Sequence, residues 1–170
     1  MGSKMKFALS AAAAAALLLS ACTSDLGWML RFSGDNPVEV RELARSTQCG
    51  TPSEKASASV FVDATELRQW QDQRGIKLID GDAVPAGPYA VVEMGQRPSA
   101  GYGIAISRKA GIRRDLVVLK GTFIAPPAGS VAAQMMTSPC VLVGLPAGFN
   151  RGVVVMNQEG EIQATSLSKQ

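Results

Sequence analysis

The chain has 170 residues, 46% of them apolar, and a formal charge of +3 set by 17 basic and 14 acidic side chains. It contains no histidine, which excludes Ser-His-Asp and Cys-His activation of a nucleophile and most zinc sites. The basic residues cluster no further than Arg108-Lys109 and Arg113-Arg114, with no aromatics interleaved, which argues against a nucleic-acid partner.

The amino terminus reads MGSKMKFALSAAAAAALLLSAC. Lys4 and Lys6 precede an apolar run from Phe7 to Leu19, the pattern of an export signal and too short to span a bilayer as a permanent helix. Leu19-Ser20-Ala21-Cys22 resembles the bacterial lipobox, in which a thiol takes a lipid and the chain is cut just before it. A plain secretory signal beside an incidental cysteine is the alternative. The resemblance implies a signal peptide over 1–21, a lipidated Cys22 with a tether over 22–36, and a single domain over 37–170. Each buried methylene contributes about 0.8 kcal/mol, so two or three acyl chains (palmitate among them) hold a protein on a membrane where one does not. Thr23 stands where lipoproteins kept at the inner membrane commonly carry aspartate. The expected location is the envelope of a bacterium, anchored in the outer membrane through Cys22, facing the periplasm rather than the outside. Losing Lys4 and Lys6 with the leader leaves 15 basic against 14 acidic side chains, so the charge of the whole chain is partly the leader's.

With Cys22 acylated, Cys49 and Cys140 are an even pair in an oxidising compartment, and a disulfide between them is expected. Two buried free thiols are the alternative. From 23 to 36 the tether carries Trp28, Met29, Leu30 and Phe32, too apolar for a freely solvated linker. VEVRELARS reads two ways: Asn36-Pro37 with Glu39 resembles a helix start, whereas Val38 and Val40 alternate like a strand. A short strand then ends near Val62, and Asp63 with Glu66 caps a helix expected over 63–73. Ala64, Leu67 and Trp70 share its apolar face. Beyond it, IKLI, PYAVVEM, GYGIAISRK, RDLVVLKGTFIA, CVLVGLP, GVVVMNQ and EIQATS are strand-like runs separated by turn residues. The expected fold is α+β and mostly antiparallel β, a sandwich or open barrel with one helix.

No constellation of nucleophile and base is present, so the domain is expected not to be an enzyme and to need no cofactor. Asp80 and Asp82 lack the further oxygens of a calcium loop and suit a solvated turn; no metal site is expected. EMGQRPSAGYGIAI, residues 93 to 106, is more distinctive. Pro98 fixes φ and biases Arg97 towards an extended conformation, Gly101 permits positive φ, and Tyr102, Ile104 and Ile106 then share one strand face. Gly103 and Ala105 leave the opposite face bare. Arg97, Pro98, Gly101 and Tyr102 are therefore candidate partner-binding residues; a rigid turn with Tyr102 in the core is the competing account.

Gly95-Gln96-Arg97-Pro98-Ser99-Ala100-Gly101-Tyr102 resembles the G-x-R-P-T-G-G-Y signature of the PrcB family, named for a subunit of a surface protease complex. PPAG and SPCVLVGLPAG are similar to that family's proline-rich turn and following strand, and the resemblance covers about residues 56 to 147. Ser99-Ala100 replace Thr-Gly, and Cys140 stands where an aromatic is usual. The resemblance implies a protein-binding accessory module, a subunit or stabiliser of an exported protease. The loop is also similar, more faintly, to the N-P-T-T-G-Y loop of chagasin-like protease inhibitors. A structural lipoprotein bound to cell wall or to outer-membrane proteins is the third possibility.

Overall fold

The computed structural model describes residues 36–79, 84–149 and 151–167. The leader, Cys22, the apolar tether and the Asp80–Asp82 turn lie outside them. The described elements are β1 (Asn36–Glu39), β2 (Arg41–Ser46), β3 (Ser57–Phe61), α1 (Ala64–Arg74), β4 (Tyr89–Glu93), β5 (Gly103–Ile106), β6 (Lys109–Arg113), β7 (Leu116–Ile124), β8 (Cys140–Gly144), β9 (Gly152–Met156) and β10 (Ile162–Leu167). One sheet runs β1-β6-β7-β9-β10 with β5 also on β7; the other runs β2-β8-β4-β3. All pairs are antiparallel except β7 with β9. The result is the mostly β, sandwich-like α+β fold the sequence implies.

Burial explains the sequence patterns. The inner faces of both sheets meet in an aliphatic core that includes Val92, Val117, Leu119, Val141, Val143 and Val155. The outer face of the four-stranded sheet carries a second cluster, Cys49, Phe61, Leu67, Tyr89, Val91, Cys140 and Leu142, with Trp70 of α1 packed against it. β4 and β8 are thus covered on both sides, and read as continuous apolar runs where a half-exposed strand would alternate.

VEVRELARS resolves into β1 and β2. β1 pairs with β6 from Asn36↔Ile112 to Glu39↔Lys109, so β-branched Val38 and Val40 prevail over the helix-start signal of Asn36-Pro37. α1 starts as read. The Asp63 carboxylate accepts from Thr65 N (2.7 Å) and Glu66 N (3.0 Å), Glu66 reaches back to accept from Val62 N (2.8 Å), and Gly75 closes the helix at φ 63°.

IKLI is the one expected strand that does not form. The Gln71 side-chain oxygen accepts from Leu78 N (2.7 Å) and Ile79 N (3.1 Å), supplying from the helix what a neighbouring strand would have supplied. Ile76, Leu78 and Ile79 still pack on the outer cluster. GYGIAISRK is split between β5 and β6, and both lie along β7. The chain reverses between β6 and β7 at Arg114 (φ 50°) and Asp115 (φ 66°), the left-handed pair of a two-residue hairpin turn.

Candidate functional site

The loop from Met94 to Gly101 is held at almost every residue by chain that is distant in sequence. Met94 N donates to Pro139 O (2.8 Å), Gln96 N to Ser53 O (2.7 Å) and Ala100 N to Ala133 O (3.0 Å). Arg97 and Thr137 exchange both backbone bonds, at 2.8 and 2.9 Å, and the Thr137 hydroxyl donates to Ser99 O (3.0 Å). Ser138 Oγ accepts from Cys49 N and Gly50 N, each at 2.9 Å, and the Gln48 amide donates to Met136 O (3.0 Å). Segments 47–55, 94–101 and 133–139 therefore form one junction. The Cys49–Cys140 disulfide lies at its base, with the Cα atoms 6.0 Å apart. That bond accounts for a cysteine where the resembled family places an aromatic.

Two glycines are required here for different reasons. Gly95 has φ +86°, and a Cβ on it would lie 2.5 Å from the Glu54 carbonyl oxygen, so the close approach of two backbones excludes any side chain. Gly101 has φ +91° and lies against Pro126. Ala100 is not among the residues with positive φ, so the alanine that departs from the family's glycine needs no special conformation.

The structure brings the four candidate residues together. Pro98 and Gly101 are exposed, and Arg97 and Tyr102 are half-buried. Arg97 Nη2 donates to Met94 O (2.7 Å), and the guanidinium lies 5.9 Å from the Tyr102 ring centroid, a cation–π distance. Arg97 Nε is buried without a partner among the described residues. Tyr102 packs against the inner core, so the core account of this residue and the exposed-loop account each hold for part of the side chain.

Sequence reading missed the other half of the surface. Gly121 to Asn150 carries no charged residue, and its loop, zipped along the Arg97 strand segment, exposes Val131 fully, Met135 by 50% and Met136 by 58%. The uncharged run was a visible signal. Its exposure was not, because apolar runs in this chain otherwise enter the core. The junction thus presents a guanidinium, a proline ring and two thioethers on a rigid support, groups suited to contact with another protein; methionine in particular adapts to irregular apolar surfaces.

Behind the junction lies an ion pair with a buried carboxylate. Glu93 is 1% exposed and pairs with Arg74 Nη1 at 2.5 Å; its second oxygen accepts from the Ser57 hydroxyl at 3.1 Å. Arg74 also donates to Cys49 O (3.4 Å) and stacks 4.6 Å from the Trp70 ring centroid. The pair ties α1 to the same corner as the disulfide. Among the described residues no group of three or more Cys, Asp or Glu is placed to hold a metal ion, and no helix is long and apolar enough to cross a membrane.

Residues 88–146, from the start of β4 to the end of β8, match the family model described as PrcB C-terminal. The matched residues include segments 94–101 and 133–139 of the junction and all four candidate residues. No curated protein and no solved structure matches the chain.

Proposed function

We propose that this chain, which carries a PrcB C-terminal domain over residues 88–146, is a non-enzymatic envelope lipoprotein that binds another protein, and that its partner is an exported protease it accompanies as an accessory subunit. The carrying observation is the rigid loop junction. A loop whose amides bond to Ser53, Ala133, Thr137 and Pro139 is shaped by distant parts of the fold, and beside it an uncharged segment exposes Val131, Met135 and Met136 where a solvated turn would be polar. Lipidation at Cys22, outside the described residues, would hold the domain at the outer membrane on a tether, where an exported protease is accessible. The absence of histidine and of a nucleophile–base pair in the sequence supports binding over catalysis.

The test is a crosslinked pull-down from membranes with the lipidated protein against two variants, Arg97→Ala and Met135→Ser/Met136→Ser. Both alter surface groups whose loss leaves the backbone zipper in place, and a thermal melt checks that the fold persists. One protease recovered with the native protein and lost with both variants is the expected outcome. Recovery of cell wall or outer-membrane proteins with all three would instead assign the structural role, and saturable loss of the protease's activity on adding the domain would assign inhibition.

A further inference from the structure

β1 runs along β6, and carried straight on it would continue along β5. It does not. At Val40, whose amide still donates to Arg108 O (2.9 Å), the chain steps away and becomes β2, which pairs with β8 in the other sheet. The outer edge of β5 is left uncovered, and β2 becomes the opposite wall of a groove. At one end the groove is lined by Arg45, Ser46 and Thr47 facing Tyr102 and Gly103, over Pro139. At the other end a second hollow is lined by Arg41 and Leu43 with Arg108.

The ladder geometry tells which backbone groups face this groove. Ser107 N donates to Lys120 O (2.9 Å) across the β5–β7 pair, while Phe123 N turns the other way and donates to the side chain of Gln158 (3.2 Å), just past β9. Along antiparallel strands the direction of N–H and C=O alternates residue by residue. Gly103 and Ala105 therefore face β7, and Ile104 and Ile106 direct their peptide groups at the groove. Among the described residues no strand pairs with β5 on that side. An open edge of this kind is a template for another strand.

The charge on the rim selects among strands. Arg41 and Arg108 stand at one end and Arg45 at the other; the carboxylates beside them are Glu39 and Glu42. Glu42 holds Arg45 through two bonds, 2.6 and 2.8 Å, a pairing that raises the arginine pKa further above its ordinary value, first through the hydrogen bond and then through the charge. Guanidinium groups outnumber carboxylates, so the groove favours a segment with acidic side chains.

We infer that the groove between β2 and β5 receives an extended, carboxylate-bearing segment of the partner protein, added as a strand on β5. The inference rests on the protein-binding reading above and assigns its mode. Arg45 is the point of control, because its side chain is 59% exposed on the groove rim and its charge can be reversed without touching the core.

The experiment follows amide hydrogen exchange of the full chain in detergent micelles. The probes are two capped eight-residue peptides, one alternating valine with glutamate and the other valine with lysine. The glutamate peptide slows exchange at Ile104 and Ile106 several-fold, the lysine peptide does so much less, and Arg45→Glu, an exposed rim change, removes the preference for the glutamate peptide while the melting temperature holds. Arg108→Glu, at the other end of the rim, substitutes should that variant not fold. Absence of slowing, equal slowing by both peptides, or a preference that survives in the variant would overturn the inference. A membrane pull-down separates the two layers: partner recovered undiminished by Arg45→Glu overturns the groove and leaves the binding module intact, whereas no partner recovered by the native chain overturns the module itself.

Discussion

The four-stranded sheet has two covered faces, and they are held by different physics. Towards the other sheet it meets an interface of Val, Ile, Leu and Ala side chains whose cohesion comes from buried area and shape. Towards α1 it meets a smaller apolar cluster, supplemented by specific links: the Cys49–Cys140 disulfide, the Arg74–Glu93 pair and the tilted Phe61–Trp70 contact at 5.7 Å. An aliphatic interface of this kind degrades gradually as volume is lost. An interface built from a few links fails one link at a time, and the loop junction rests on that second kind.

The largest effect should come from breaking the ion pair on one side only. Arg74→Met leaves the Glu93 carboxylate in a site that is 1% exposed with one hydroxyl for company, at a cost of about 3–5 kcal/mol. Chemical denaturation should register this as a lower midpoint, and Arg74→Met/Glu93→Leu should recover much of it by removing the stranded charge as well. If the double variant is as unstable as the single one, packing by the arginine stem carries the link and the pair's charge does not.

Reducing the disulfide comes next. It spans 91 residues, for which the chain-entropy account gives an upper figure of roughly 4 to 5 kcal/mol. Strain and residual structure in the unfolded chain reduce this towards the lower part of the common range of about 2–5 kcal/mol. Thermal melts with and without reductant measure it. Because Cys49 sits between Gln48 and Gly50, which both bond to segment 136–138, the loss should be accompanied by faster amide exchange at Arg97 and Thr137. On the aliphatic side, the volume-conserving Leu119→Met should cost less than about 1.5 kcal/mol although the residue is fully buried. A larger loss there would mean that the inner interface also depends on specific fit.

The contrast between the faces also separates what was legible from what was not. α1 could be read from Asp63, Glu66 and its apolar face because every group that starts it lies within one turn. β7, β8, β9 and β10 could be read because β-branched runs bounded by turn residues leave little choice, and the Arg97-Pro98…Gly101-Tyr102 loop because glycine and proline write their conformational demands into local sequence. The sheet partition could not be read. The parallel β7–β9 pairing and the exit of β2 towards β8 are decided by partners far apart in the chain, and the open edge of β5 follows from that exit. Glu93 was visible as the last polar residue of an apolar strand, but its burial depends on Arg74, 19 residues earlier on α1. IKLI failed for a related reason, since a single glutamine side chain took the amides that a strand partner would have used.

The smallest effect is also the most selective, because it acts only at alkaline pH. Tyr89 is 1% exposed, its hydroxyl donates to the Pro85 carbonyl, and its ring lies where a Cβ on Gly87 would be, 2.6 Å from ring carbon Cε2. Burial, reinforced by Asp63 and opposed by Arg68, lifts the phenol pKa above its ordinary value of 10.0. The raised pKa means that the folded state holds the proton more tightly than the unfolded chain does. Below about pH 10 both states are protonated and this contribution is fully present. Above that, the unfolded phenol ionises first, and stability falls with each increment of pH until the folded pKa is passed. Tyr89→Phe should remove this alkaline limb, at the cost near neutral pH of one hydrogen bond, about 0.5–1.5 kcal/mol. Denaturation midpoints measured from pH 8 to 11 on both proteins check it. Curves that stay parallel throughout would assign the alkaline loss to other groups and leave the α1 face with its two covalent and ionic links alone.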